Sequence, residues 1–270
     1  MAESTDDTSL KIGKSVSHKW WEAVKMFQIA GLNVMVTGTS RGLGLAVANG
    51  LAALGAKVIG IGRSPRPSEL DESVGYFQGD LSEHNDLDAF YVFTKNRLDQ
   101  LHSIVNIAGV SIPPSTEDQE NIRFVETINL DLILPFKVIT KFVPLLVQDG
   151  SGSIINFSSI NANLGFPGNP GYVAAKSGLS GLTRALSVDL AHKGIRVNSI
   201  SPGYFPTSMT TVSFNDQGMH AERAHRTILK RWGKPEELVG PVAFLCSSAS
   251  SYVTGHDLPV DGGWIVQGLK

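Results

Sequence analysis

The chain has 270 residues, 42% of them hydrophobic, and 23 basic against 25 acidic side chains give a formal net charge of -2. That length supports one substantial core rather than two ordinary domains, and the lack of basic excess argues against a nucleic-acid partner. No apolar run reaches membrane-span length, residues 1–10 lack the pattern of a secretory signal, and the single cysteine, Cys246, lies in an apolar run, so no membrane partner and a cytoplasmic location are expected.

Residues 1–24 are polar and end near Ser17-His18-Lys19-Trp20-Trp21-Glu22. They read as an N-terminal extension, either partly ordered or a short amphipathic helix docked by its tryptophans. Residues 25–270 read as one catalytic domain. From Asn33 on, short apolar β-rich runs alternate with longer stretches of helical period. Strands are predicted near 33–37, 57–61, 76–79, 103–107, 153–157, 196–200 and 257–260, and helices near 42–54, 85–98, 119–147, 171–192 and 235–247. This alternation predicts an α/β fold, a single Rossmann-type doubly wound domain with a seven-stranded parallel sheet flanked by helices. Between the last two strands, residues 203–232 lack strand character and carry Met209, Phe214, Met219, His220 and His225. They are expected to form a substrate loop with one or two short helices, with both histidines at the surface.

The first strand ends in Thr37-Gly38-Thr39-Ser40-Arg41-Gly42-Leu43-Gly44, and a small-residue helix follows at once. Glycines let the backbone approach a pyrophosphate, and the free amides and positive end of the helix attract its charge. The spacing is Gly-x-x-x-Gly-x-Gly, and alone it also suits close helix packing. About twenty residues on, where an acidic side chain would hold the ribose 2′-hydroxyl of NAD, stands Gly62, followed by Arg63. Arg41 and Arg63 are suited to a 2′-phosphate, so NADP(H) is favoured over NAD(H).

Tyr172-Val173-Ala174-Ala175-Lys176 puts a phenol and an ammonium one helical turn apart, on one face. A nearby cation favours the ionised phenol and brings its proton within reach of carbonyl chemistry. The spacing carries little alone; Ser159, at the end of a predicted strand thirteen residues before Tyr172, gives it context. Over Asn33 to Trp264 the sequence resembles the short-chain dehydrogenase/reductase family. The resemblance rests on the glycine turn, Asp80-Leu81, Asn106-Ile107-Ala108-Gly109, Asn129, Ser159, Tyr172, Lys176, Pro202-Gly203-Tyr204-Phe205-Pro206-Thr207 and Val260-Asp261-Gly262-Gly263-Trp264.

That resemblance implies hydride transfer between NADP(H) and a carbonyl or secondary alcohol. Tyr172 would exchange a proton with the substrate oxygen, Ser159 would hydrogen-bond that oxygen, Lys176 would hold the nicotinamide ribose, and Asn129 would anchor a water. Gly38, Ser40, Arg41, Gly42, Leu43, Gly44, Arg63, Asp80 and Leu81 would bind the cofactor, Asp80 facing the adenine. Asn106, Ala108 and Gly109 would line its cleft, and Pro202, Gly203, Phe205 and Thr207 would hold the carboxamide. The family often has a second asparagine where Ile107 stands, a departure expected to change packing more than chemistry. Ser158 is expected to be structural. Ser111, Phe166 and Tyr204 are expected in the substrate wall.

Arg231-Trp232-Gly233-Lys234-Pro235-Glu236-Glu237-Leu238 and the ending 258–264 look most like members acting on sugar acids. A 3-oxoacyl thioester reductase is the alternative, and a non-catalytic NADP(H) sensor the alternative of another class. No His-x-x-x-His or Cys-x-x-Cys supports a metal, and no Gly-x-Ser-x-Gly elbow supports hydrolysis at Ser159. The resemblance also implies a homotetramer built through the helix that carries the tyrosine.

Overall fold

The computed structural model describes residues 24–111 and 120–268. The tryptophan-bearing part of the N-terminal extension lies outside them. Seven strands form one sheet in the order β3-β2-β1-β4-β5-β6-β7. They are β1 (Asn33–Thr37), β2 (Lys57–Gly62), β3 (Gly75–Gln78), β4 (Ser103–Asn106), β5 (Gly152–Phe157), β6 (Ile195–Pro202) and β7 (Asp257–Val260). Every pairing is parallel, with Met35 facing Ile59 on one side and Ile104 on the other. The chain order reverses beside β1, which opens a crevice between the carboxyl ends of β1 and β4.

The central strands are rich in Val and Ile because both faces of the sheet are covered. Val34 and Val36 face one core cluster with Val47, Leu51, Ile155 and Val242, while Met35 faces the other with Phe90, Ile104, Phe142 and Ile154. Helices α1 (Gly42–Ala53) and α2 (His84–Lys95) follow β1 and β3. The predicted helix 119–147 is broken in the middle: α3 (Glu120–Ile128) and α4 (Leu134–Phe142) flank a π turn, Asn129–Ile133, in which Leu134 N–H donates to the Asn129 carbonyl. Pro135 lacks the N–H that an α-helix would direct to the Asp131 carbonyl, so the wider turn falls where that bond is missing.

Helix α5 (Pro170–Asp189) leads into β6. The loop after β6 holds two short helices, α6 (Thr211–Asn215) and α7 (Gln217–Arg226), as expected, and α8 (Val239–Cys246) precedes β7. Cys246 is buried, and burial pushes its thiol up to about 11. Among the described residues no helix is long and apolar enough to cross a membrane.

Candidate active site

At the end of β1 the chain turns through Gly38 (φ 77°) and Gly42 (φ 57°), left-handed values that favour glycine. A Cβ on Gly38 would lie 3.0 Å from the Ala108 backbone, and one on Gly44 only 2.1 Å from the Gly38 carbonyl oxygen. The turn is therefore pressed against both β4 and its own helix. Helix α1 has no side-chain cap and no acidic residue in its first turn, leaving its amides and positive end to an anion. Across the crevice, the Thr207 methyl lies 3.5 Å from where a Cβ on Gly42 would sit, so the predicted carboxamide residue faces the predicted phosphate turn.

At Gly62 a Cβ would meet the Tyr76 hydroxyl at 2.6 Å and the Ser40 Cβ at 2.7 Å, so this backbone has no room for an acidic side chain there. Arg41 and Arg63 are exposed, and Arg63 Nη1 stands 3.8 Å from Asp80 Oδ2, a loose surface pair that holds the guanidinium weakly. Asp80 accepts hydrogen bonds from the amide and hydroxyl of Ser82, and Leu81 is buried. A glycine cradle, an uncapped helix start and two available guanidinium groups fit a dinucleotide bearing a 2′-phosphate.

Thr37 Oγ1 accepts from the amides of Ile107 and Ala108, both at 3.0 Å, and ties the β4 end to the turn. Asn106 is buried and its amide is turned to Asn156 at 3.0 Å, away from the cleft edge; Ile107 packs into the core beneath the turn. Gly109 lies beside the Asp131 and Lys176 side chains, where a Cβ would come within 3.3 Å of both Asp131 Oδ1 and Lys176 Nζ.

Tyr172 and Lys176 sit one turn apart near the start of α5, with Lys176 Nζ 5.6 Å from the Tyr172 ring centroid. Lys176 is buried and donates to the Phe157 carbonyl at 3.0 Å. Ser159, also buried, follows β5, accepts from the Asn161 amide at 3.1 Å and favours the ionised form of Tyr172. Ser158 bonds the Lys176 carbonyl and the Ser180 hydroxyl, the structural part expected of it. Asn129 begins the π turn, exposed to solvent.

Two residues on, the same turn directs Asp131 inward. It is fully buried, accepts from Val110 N–H at 2.7 Å and stands 3.2 Å from Lys176 Nζ. Burial opposes charge on Lys176, but Asp131 and Tyr172 outweigh it and the ammonium pKa is raised. Burial also raises the Tyr172 pKa; Lys176 pulls it back and Asp131 adds to the rise. The expected lowering by Lys176 is thus present but outweighed.

Sequence reasoning missed Asp131, Thr37 and Asn169. Asn169 caps α5 by accepting from the Tyr172 amide, while its Nδ2 donates to Ser111 Oγ at 2.9 Å, linking the post-β4 loop to the helix that carries Tyr172 and Lys176. Asn before Pro170, at the first helical position, was its signal.

Pro202 and Phe205 are buried, Phe205 under Gly233, and a Cβ on Gly203 would lie 2.7 Å from the Asp261 Cα. Phe166 is half-buried after the 160–162 turn. Tyr204 packs on Trp264 at 4.7 Å and on Trp232 at 5.4 Å. The surface reading of His220 is corrected: its ring stacks on Trp232, its Nδ1 meets the Phe214 carbonyl at 3.0 Å, and it belongs to this aromatic cluster.

A family model described as "Enoyl-(Acyl carrier protein) reductase" matches residues 38–265. The 5-keto-D-gluconate 5-reductase of Escherichia coli (strain K12) is 33% identical over 250 residues, 89% of this chain and 98% of the relative. Gluconate 5-dehydrogenase of Gluconobacter oxydans is 32% identical over 248 residues, 88% of this chain and 96% of the relative. A solved gluconate 5-dehydrogenase from Burkholderia cenocepacia, in complex with NADP and tartrate, superposes with a TM-score of 0.83 at 28% identity, covering 91% of this chain and 100% of that one. With the glycine turn, the Ser159, Tyr172 and Lys176 cluster and the parallel sheet in their expected places, the chain belongs to the short-chain dehydrogenase/reductase family.

Proposed function

We propose that the protein is an NADP(H)-dependent oxidoreductase acting on a sugar acid, with Tyr172 as general acid and base. The observation that carries this reading is the cluster of buried Ser159 and Lys176 with half-buried Tyr172, set at the strand ends beside a glycine turn that has two exposed arginines near it. Relatives named for 5-keto-gluconate and gluconate, and one solved with NADP and tartrate, support the substrate class and the cofactor. They favour it over the thioester alternative.

When bound, NADP(H) supplies or accepts the hydride. Arg41 and Arg63 pair with its 2′-phosphate and the α1 amides with its pyrophosphate. Asp80 with Leu81 borders the adenine; Ala108, Gly109, Pro202, Gly203 and Thr207 border the remainder. In reduction, Ser159 donates a hydrogen bond to the substrate oxygen and Tyr172 gives that oxygen its proton; oxidation reverses the transfer. Lys176 holds ribose hydroxyls and stabilises the phenolate left behind. Asn129 anchors a water that returns the proton from solvent, and Ser111, Phe166 and Tyr204 form the substrate wall.

We further propose a homotetramer assembled through α3, α4 and α5. Ile122, Phe124 and Val125 on α3, Ile133 in the π turn and Phe136 on α4 are exposed, which fits faces covered by another copy. The test of function is turnover with NADPH of keto-sugar acids against 3-oxoacyl thioesters, together with Tyr172→Phe. The variant should keep NADPH binding and lose about 10²- to 10⁴-fold in kcat. Preference for the thioester overturns the substrate class, and near wild-type turnover by the variant overturns the mechanism.

A further inference from the structure

Two successive residues after β4 are gripped by side chains that also reach the helix bearing Tyr172 and Lys176. Asp131 accepts from Val110 N–H at 2.7 Å and stands 3.2 Å from Lys176 Nζ. Asn169 makes the second grip: its Nδ2 donates to Ser111 Oγ at 2.9 Å, and its Oδ1 accepts from the Tyr172 amide at 3.3 Å. Asn169 is only 3% exposed. Pro170, next in the chain, disfavours a helical backbone at Asn169 and so keeps it in the capping position.

The sense of the bond to Ser111 follows from the other end of the carboxamide. Tyr172 N–H can only donate, so it takes the Asn169 oxygen and turns the NH2 group to Ser111. A serine oxygen that accepts from an amide keeps its own proton to donate. Among the described residues none accepts that proton, and Ser111 is half-buried, open on one side to a ligand. One carboxamide thus joins the backbone of the proton-transfer residue to an unspent O–H donor past the carboxyl end of β4, where sheets of this kind bind ligands.

We propose that Asn169 is a positioning residue for the substrate: it fixes the Ser111 hydroxyl as a hydrogen-bond donor to an oxygen of the keto-sugar acid, in register with Tyr172. This rests on the readings of Tyr172 and of the sugar-acid substrate given above. In 5-keto-gluconate both carbons beside the reacting carbonyl carry hydroxyl groups, so acceptor oxygens lie next to the carbon that takes the hydride.

The experiment measures KM and kcat for 5-keto-gluconate with NADPH in wild type, Asn169→Ser, Ser111→Ala and the double variant, with Tm and NADPH affinity alongside. Serine caps a helix about as well as asparagine but is too short to reach Ser111 as well, so Asn169→Ser keeps the cap and gives up the second bond. Ser111→Ala should raise KM about 3- to 10-fold with kcat within about 2-fold, the size expected for one neutral hydrogen bond to substrate. Asn169→Ser should raise KM by at least about 2-fold and by no more than Ser111→Ala, with Tm within about 3 °C of wild type and NADPH affinity unchanged. Both act through one hydroxyl, so the double variant should match Ser111→Ala alone. A wild-type KM in Asn169→Ser would make Asn169 a helix cap only and overturn the proposal, as would losses that multiply in the double variant. Should Asn169→Ser not fold, Ser111→Ala decides, since it trims only a half-buried hydroxyl: an unchanged KM there overturns the proposal. Wild type inert towards 5-keto-gluconate overturns the sugar-acid reading and this proposal together, whereas active wild type with unchanged variants overturns this proposal alone.

Discussion

Replacing Asp131 by asparagine removes one charge from the buried pair with Lys176 and keeps the side chain's shape. At 3.2 Å and an effective dielectric constant of about 20, the two charges attract by about 5 kcal/mol. Removing one partner of such a pair costs about 3–5 kcal/mol, because the other is left buried and uncompensated. Asparagine still offers an oxygen to Val110 N–H, so the lower end, about 3 kcal/mol, is expected. For a chain of this size that lowers Tm by about 6–12 °C, measurable by calorimetry.

The pH dependence follows from the direction of the shifts. The Lys176 pKa is raised on folding above its ordinary 10.5, so its contribution to stability is fully present below that value and is lost as pH rises through the folded value. The Tm deficit of Asp131→Asn should therefore be the same at pH 6 and pH 8. Without Asp131, burial would pull the ammonium pKa below its ordinary value, so in the variant this group would no longer lose stability at high pH, and the Tm deficit should narrow as pH rises into the lysine range. The carboxylate also raises the Tyr172 pKa, so its loss lowers it. Reduction needs the protonated phenol, hence kcat/KM for reduction should begin to fall at lower pH in the variant. A Tm within about 2 °C of wild type, or an alkaline limb that does not move, would refute this account.

Arg41→Ala and Arg63→Ala should each weaken NADPH about 10- to 100-fold and leave NADH nearly unchanged, read by fluorescence titration; equal losses for both cofactors would remove the 2′-phosphate assignment. Gly44→Ala forces a methyl to 2.1 Å from a backbone oxygen, so the turn must move; soluble expression with wild-type NADPH affinity would contradict the tight packing described. Light scattering should give the mass of four chains, and a monomer would rule out the proposed assembly.

The central strands were legible because they are short apolar runs, mostly Val- and Ile-rich, buried on both faces, and β1 and the edge strand β7 fall on the predicted residues. The glycine turn was legible because only a close backbone approach calls for Gly38 and Gly44 together. The π turn was not: the periodicity of 119–147 stays helical across it, and only Pro135 marks the missing donor. Asp131, amid Leu130, Leu132 and Ile133, is an acid in an apolar run, and a buried charge needs a partner. Its partner lies on another helix, so spacing could not find it. His220 looked like a surface residue because Trp232, its support, is twelve positions away and meets it only after the loop folds.

The crowding at Gly62 constrains how this enzyme could drift in its choice of nucleotide. The simplest historical route towards a 2′-hydroxyl would be one substitution placing an acid at the end of β2. Here that carboxylate's own Cβ would collide with Tyr76, whose hydroxyl is anchored to the Ser64 carbonyl at 2.6 Å, and with Ser40 of the phosphate turn. Both Tyr76 and Ser40 would have to shift to admit it. At this position packing therefore disfavours an acidic side chain independently of the charge that Arg41 and Arg63 supply.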